Sequence, residues 1–212
     1  MQQDNRLKSL KKSLIQRLSG GRFVYRLPDR SSLYLTFDDG PHAEFTPALL
    51  DILHHHGIRA TFFLVGKNAA RHPELVRKLQ EHGHTIGLHT HTHKTLDRLS
   101  RNEFDREIEL NQNAIQEAIQ SRPTLLRPPE GRLTLASLLW AAARGLKVIH
   151  YTVTSNDWKA TSGEEITELF AKTNIRGGDI LSFHDNNPYT IEAIPSVIER
   201  YTKAGFHFLP IS

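Results

Sequence analysis

Asp38 and Asp39 stand side by side at the end of the apolar run Leu33-Tyr34-Leu35-Thr36-Phe37, directly before Gly40-Pro41. Further along comes His89-Thr90-His91-Thr92-His93. Imidazole and carboxylate are the donors of a mononuclear hydrolytic metal site, which keeps one position open for water. On a helical turn His89 and His93 face the same way, with Asp39 as third ligand. In an extended strand His89, His91 and His93 share a face and form a three-histidine site instead. Only one of the two aspartates need touch the ion. The other can act as general base toward a bound water, with Arg127 as a cationic partner that favours its ionised form. His184 can protonate a leaving amine if a partner fixes its tautomer, and Asp157 is a candidate for that role. Taken alone, Asp-Asp-Gly-Pro is an ordinary turn and a strand-end histidine is ordinary structure.

The elements that must position these groups alternate along the chain. Leu33–Phe37 reads as a strand. Residues 47–56 read as a helix with Thr46 as N-cap and Pro47 first inside it. Ala60–Val65 is a strand apolar on both faces, as in a parallel sheet. Helices are expected at 73–81, 102–119, 133–143, 163–172 and 191–204. Strands are expected at 84–88, 124–126, 147–153, 179–183 and 206–209. Arg127-Pro128-Pro129-Glu130-Gly131 is a loop stiffened by its prolines. About seven βα units without a second domain point to a barrel or a doubly wound sheet, and periodicity does not choose. Asp38, His89, Arg127, Asp157 and His184 all follow strands, so parallel strands would gather them at one end.

Composition sets the outer bounds. The 212 residues carry a formal charge of +4, 38% hydrophobic residues and no cysteine, which excludes disulfides and thiolate ligands. Basic residues are scattered among acids, so no nucleic-acid partner is expected. No segment has the length of a membrane span or the apolar core of a leader peptide, and a cytoplasmic location is the expectation. Residues 1–21 form a separate basic segment, and residues 22–212 the main domain. Leu7, Leu10, Leu14 and Leu18 recur at helical spacing among Arg6, Lys8, Lys11, Lys12 and Arg17. Residues 6–18 can thus lie on an anionic membrane at its inner face, or dock on their own domain.

These residues resemble the polysaccharide deacetylase family, also called the NodB-homology domain or carbohydrate esterase family 4. Thr36-Phe37-Asp38-Asp39-Gly40-Pro41 matches its first motif, and His89-Thr90-His91-Thr92-His93 its second. Arg127–Gly131 looks like the third, Asp157-Trp158 like the end of the fourth, and His184-Asp185 like the fifth. The resemblance implies a single-domain distorted (β/α) barrel of about seven strands and a metal-dependent hydrolase removing N-acetyl or O-acetyl groups from sugars, and the leading expectation is a de-N-acetylase of N-acetylhexosamine units. The substrate would be an oligo- or polysaccharide, or a lipid-linked intermediate of exopolysaccharide assembly. By the same resemblance Asp38 is the base, with Asp39, His89 and His93 the metal ligands and His91 outside the site. Arg127 orients Asp38, and Asp157 tunes the acid His184. Pro129, Glu130, Gly131, Trp158 and Ser182 meet the substrate. The expected ion is zinc, although cobalt, nickel, manganese or iron suits the same donors.

Three departures bear on substrate. Glu130 stands where the family places an aromatic wall, Thr154 replaces an acid of the fourth motif, and Ser182 replaces a leucine of the acyl pocket. Glu130 and Ser182 leave room for a small non-sugar amide as substrate, and a non-catalytic glycan-binding module is a third class, which the intact acid, base and ligand set argues against.

Overall fold

The computed structural model describes the backbone of residues 2–212 and side chains from Leu10 onward. In chain order the elements are α1 (Gln2–Leu18), β1 (Phe23–Val24), β2 (Ser32–Asp38), α2 (Phe45–His55), β3 (Thr61–Leu64), α3 (Gly66–Arg71) and α4 (Pro73–Glu81). There follow β4 (Thr85–Leu88), α5 (Arg101–Ile119), β5 (Leu125–Leu126), α6 (Leu135–Ala143), β6 (Lys147–Ile149) and β7 (Val153–Thr154). The last are α7 (Gly163–Lys172), β8 (Ile180–His184), α8 (Pro188–Lys203) and β9 (His207–Phe208). The strands run in the order β1-β6-β5-β4-β3-β2-β8-β7, with β9 added beside β2, and the pairs of this sheet are parallel. This curled sheet, open between β1 and β7, is the distorted (β/α) barrel. Among the described residues no helix is long and apolar enough to cross a membrane.

Period-two alternation explains how such apolar strands still present carboxylates to a site. On β2, Leu33, Leu35 and Phe37 face the helices and join the large outer core. Tyr34 belongs to a smaller interior cluster with Phe63, Leu125, Ile149, Ile180 and Ile211. Thr36 and Asp38 continue along Tyr34's face. Ser182 and His184 do the same above Ile180, in register with Thr36 and Asp38. The barrel interior is thus apolar at its base and polar at the C-terminal ends of its strands.

Local signals set most helix boundaries. A capping box between Ser100 and Glu103 starts α5, and Thr134 with Ser137 starts α6. Asn187 accepts from the Tyr189 amide at the head of α8. Thr46, however, is not an N-cap. It lies inside α2, where its hydroxyl accepts from the His42 amide and donates to Asp185. The strand expected at 147–153 is two short strands, because the chain leaves the sheet between His150 and Thr152. The side chains of Arg6, Leu7 and Lys8, part of the expected amphipathic face, lie outside the described residues.

Gly87 on β4 gives Phe63 its space: a Cβ there would stand 2.6 Å from the Phe63 ring. That ring in turn carries the Arg127 guanidinium, 4.1 Å from its centroid. Gly87→Val is therefore expected to destabilise the fold by roughly 1–3 kcal/mol through overpacking, read as a lowered midpoint in urea. An unchanged midpoint would mean that Phe63 can turn aside freely.

Candidate metal and catalytic cleft

Asp38 ends β2 pointing inward, and the next residue reverses course. Asp39 takes φ 79°, a left-handed conformation that aspartate tolerates better than most residues. The turn swings the second carboxylate toward the histidine loop. That loop is bent as well, with Thr90 at φ 58° and His93 at φ 60°. The extended three-histidine arrangement is consequently ruled out: His91 packs toward Gly66, away from the other two. α5 holds the loop from behind. The Asn111 amide donates to the carbonyls of Leu64 and Thr90, and the Glu107 carboxylate accepts from both the amide and the hydroxyl of Thr92.

Asp39, His89 and His93 offer donor atoms that all lie within 4.8 Å of one another. Oδ1 of Asp39 lies 3.2 Å from Nε2 of His93 and 3.6 Å from Nε2 of His89. Two donors each about 2.1 Å from a tetrahedral ion stand roughly 3.4 Å apart. The same Oδ1 is buried without a hydrogen-bond partner, an arrangement that a cation would complete. Nδ1 of His89 donates to the Arg127 carbonyl at 2.8 Å, which fixes the tautomer and leaves Nε2 for a metal. Burial works to raise the Asp39 pKa, yet the imidazoles of His93, His89 and His184 hold it below the usual carboxylate range. Burial lowers the His89 pKa, which favours the neutral ligating form. The donor set fits a divalent cation.

Asp38 is buried and held from two sides. Nη1 of Arg127 donates to its Oδ1 at 2.8 Å and to Oγ1 of Thr36 at 2.6 Å. The Ser182 hydroxyl donates to its Oδ2 at 3.2 Å. Arg127 itself is fully enclosed, its remaining donors directed at the carbonyls of Ile149 and His150. An arginine so enclosed is a fixed positive charge beside one carboxylate.

Across the cleft, Nδ1 of His184 meets Oδ1 of Asp157 at 2.6 Å. Oδ2 of the same carboxylate accepts from the His184 amide and from the Thr190 hydroxyl. The orienting aspartate is fully buried, and its other bonds leave it one posture. Burial alone would lower the His184 pKa, but Asp157, with Asp38 and Asp39 beyond it, pushes it up to about 9. A histidine raised in this way stays protonated through neutral pH and loses its proton as pH rises through that value. The alkaline limb of any rate that needs His184 as acid is expected near pH 9. Asp157→Asn should move that limb down, because burial then acts with less opposition. A pH–rate profile checks this, and a limb unmoved by the replacement would assign the proton to another group.

These groups line one cleft of about 480 Å³, together with Pro128, Glu130, Gly131, Tyr151, Thr154, Trp158, Ser182 and Asn186. Arg127 and Asp157 stand behind its walls. Pro129 does not line it: both prolines are buried, but only Pro128 borders the cleft, and the loop turns after them at Glu130, which takes φ 55°. The indole of Trp158 meets the His184 ring edge-on and remains half exposed. Sequence reasoning missed Thr36, Tyr151, Thr190 and Asn186. Tyr151 follows the residues of β6, and Asn186 lies two residues past His184 with its amide 3.2 Å from Asp39, so strand-end position was the signal for both. Beneath the cleft floor Asp185 is buried and bonded to Thr46, and burial raises its pKa to about 7.

Comparison with known proteins gives the arrangement a context. A family model described as polysaccharide deacetylase matches residues 26–149. A peptidoglycan-N-acetylglucosamine deacetylase of Bacillus cereus is 31% identical over 186 residues, covering 86% of this chain and 68% of the relative. A chitooligosaccharide deacetylase of Bradyrhizobium is 34% identical over 195 residues, covering 85% of this chain and 89% of that one. Among solved structures, a peptidoglycan N-acetylglucosamine deacetylase in complex with 4-naphthalen-1-yl-N-oxidanyl-benzamide matches with a TM-score of 0.87 at 28% identity. That match covers 92% of this chain and 94% of the other. With more than half of its residues under the family model and the barrel shared, the chain belongs to the polysaccharide deacetylase family.

Proposed function

We propose that the protein is a metal-dependent de-N-acetylase of N-acetylhexosamine units in an oligo- or polysaccharide or a lipid-linked glycan. The observation that carries this reading is the placement of two differently supported groups around one donor set. Asp38, braced by Arg127, and His184, braced by Asp157, share a cleft with Asp39, His89 and His93. An amide needs all three services: a base for the attacking water, an acid for the departing amine, and charge stabilisation between them.

Asp39, His89 and His93 would hold the divalent cation, for which zinc is the proposal. When bound there it would polarise the acyl oxygen and lower the pKa of water. Asp38 is the base: Arg127 and Ser182 fix both of its oxygens, so its carboxylate is aimed rather than mobile. His184 gives its Nε2 proton to the leaving nitrogen while Asp157 steadies Nδ1. For the developing oxyanion the third-motif loop has one backbone donor to offer. Pro129 has no N–H and the Gly131 amide is bonded to the Pro128 carbonyl, which leaves the amide of Glu130. Trp158 and Tyr151 supply ring surface for a sugar, and Glu130 a carboxylate for its hydroxyls.

Acetate release from N-acetylglucosamine oligomers is the test. The zinc-loaded protein should release acetate and the chelated protein should not, with activity returning on adding metal. Zinc bound at Asp39, His89 and His93 without acetate release from any oligomer length would overturn the reading. Release of carbamoyl products from cyclic ureides would then favour a non-sugar amide.

A further inference from the structure

From Leu10 onward, the polar side of α1 is its docked side. Gln16 accepts from the amides of Tyr25 and Arg26 and donates to the Arg26 carbonyl. Ser19 accepts from the Phe23 amide, and Lys12 reaches Nδ1 of His150 and lies over the rings of Tyr25 and Tyr151. The apolar side faces out. Leu10, Leu14 and Leu18 are 66%, 56% and 78% exposed. At 3.6 residues per turn these three fall within an arc of about 80°. A helix packed on its own domain normally turns such a stripe inward, and this one is reversed.

Beside the ridge lies a hollow of about 600 Å³ lined by Arg17, Arg26, Arg30 and Arg176, with Ser13 and Gln16. Arg26 pairs with Asp179 at 2.7 Å. Asp29, a half-buried acid between Pro28 and Arg30, already accepts from Ser31 and Ser32. Residues 26–30 lead into β2 and residues 176–177 into β8, so the hollow opens at the sheet end opposite the cleft. α1 runs from there along the barrel flank, and Lys12 touches Tyr151 at the catalytic end.

We propose that this flank docks on an anionic phospholipid bilayer, with the leucines in the interfacial layer and the arginines around lipid phosphates. An apolar ridge flanked by cations matches such a surface in both chemistry and charge. A second copy of the chain matches in apolar character only, because it would set Lys11, Arg17 and the arginine hollow against their own kind. A soluble phosphate would leave the leucines in water. The bilayer would lie along α1, and the cleft would open beside it. If the deacetylase reading holds, a glycan still carried on a membrane lipid comes within reach.

The experiment is flotation of the full chain with vesicles of phosphatidylcholine, alone or with phosphatidylglycerol, without any substrate. Binding is expected only with phosphatidylglycerol and should weaken in high salt. Leu10→Ser/Leu14→Ser/Leu18→Ser should bind at least tenfold more weakly. Arg17→Gln/Arg30→Gln/Arg176→Gln should lose roughly fivefold for each charge removed. Both variants should keep wild-type activity on a soluble substrate, so failure to dock and failure of the cleft chemistry are read separately. Four outcomes would overturn the assignment: no flotation of the wild type, equal binding to neutral vesicles, an arginine variant that binds like wild type, or a dimer in solution abolished by the leucine replacements.

Discussion

Asp38→Asn is expected to lower kcat by roughly 10²- to 10⁴-fold, the range that a positioned general base contributes. Zinc affinity should change little. The replacement is nearly isosteric: the amide oxygen can keep the Arg127 bond and the new NH2 can donate to the Ser182 hydroxyl, but the group that would accept the water's proton is gone. Asp38 also sits outside the donor set of Asp39, His89 and His93. The measurements are single-turnover acetate release and a zinc competition titration on the same protein. Retained turnover would remove Asp38 from the base role. Lost zinc binding would make it a ligand instead.

The second large effect is on stability. Arg127→Met should cost about 3–5 kcal/mol, the usual result of removing one partner of a buried ion pair. For a chain of this size each kcal/mol moves Tm by roughly 2–4 °C, so a drop near 10 °C is expected in thermal unfolding. The reason is local: Asp38 would be left buried, Thr36 would lose its donor, and the carbonyls of Ile149 and His150 would face an apolar chain. The double variant Asp38→Asn/Arg127→Met should recover much of the loss, since it leaves no charge unpaired. If the two single costs simply add, the pair is not what holds Arg127 in place.

How far the sequence could carry this structure depends on the range of each signal. Ala60–Val65 declares a buried strand by itself, and Asp38, His89 and His184 declare strand ends because each follows such a run. Short elements lack that redundancy. β1 is two residues long, and α3 begins on a glycine, so neither contains a period to detect. Thr46 has the right residue type for a cap, but the helix begins one residue earlier, at Phe45, and the hydroxyl is taken up by His42 and Asp185. The hydroxyl of Ser182 reaches Asp38 through the register of β2 against β8, information that lies between two segments far apart in the chain. Pro128 and not Pro129 meets the cleft, a choice between neighbours that residue type does not announce. Motif residues were legible, whereas their supports across strands were not.

Asp39, Thr90, His93 and Glu130 all take positive φ, and all four lie in or beside the proposed ion and substrate positions. Such conformations cost of order 1–3 kcal/mol each away from glycine, most for a β-branched residue such as Thr90. Asn111, Glu107 and Asn68, all outside the donor set, hold that backbone in place. The expense therefore falls on folding and not on capture of the ion. An arriving cation would meet a cradle already set, and its association should resemble a key entering a cut lock, fast and with little rearrangement of the chain.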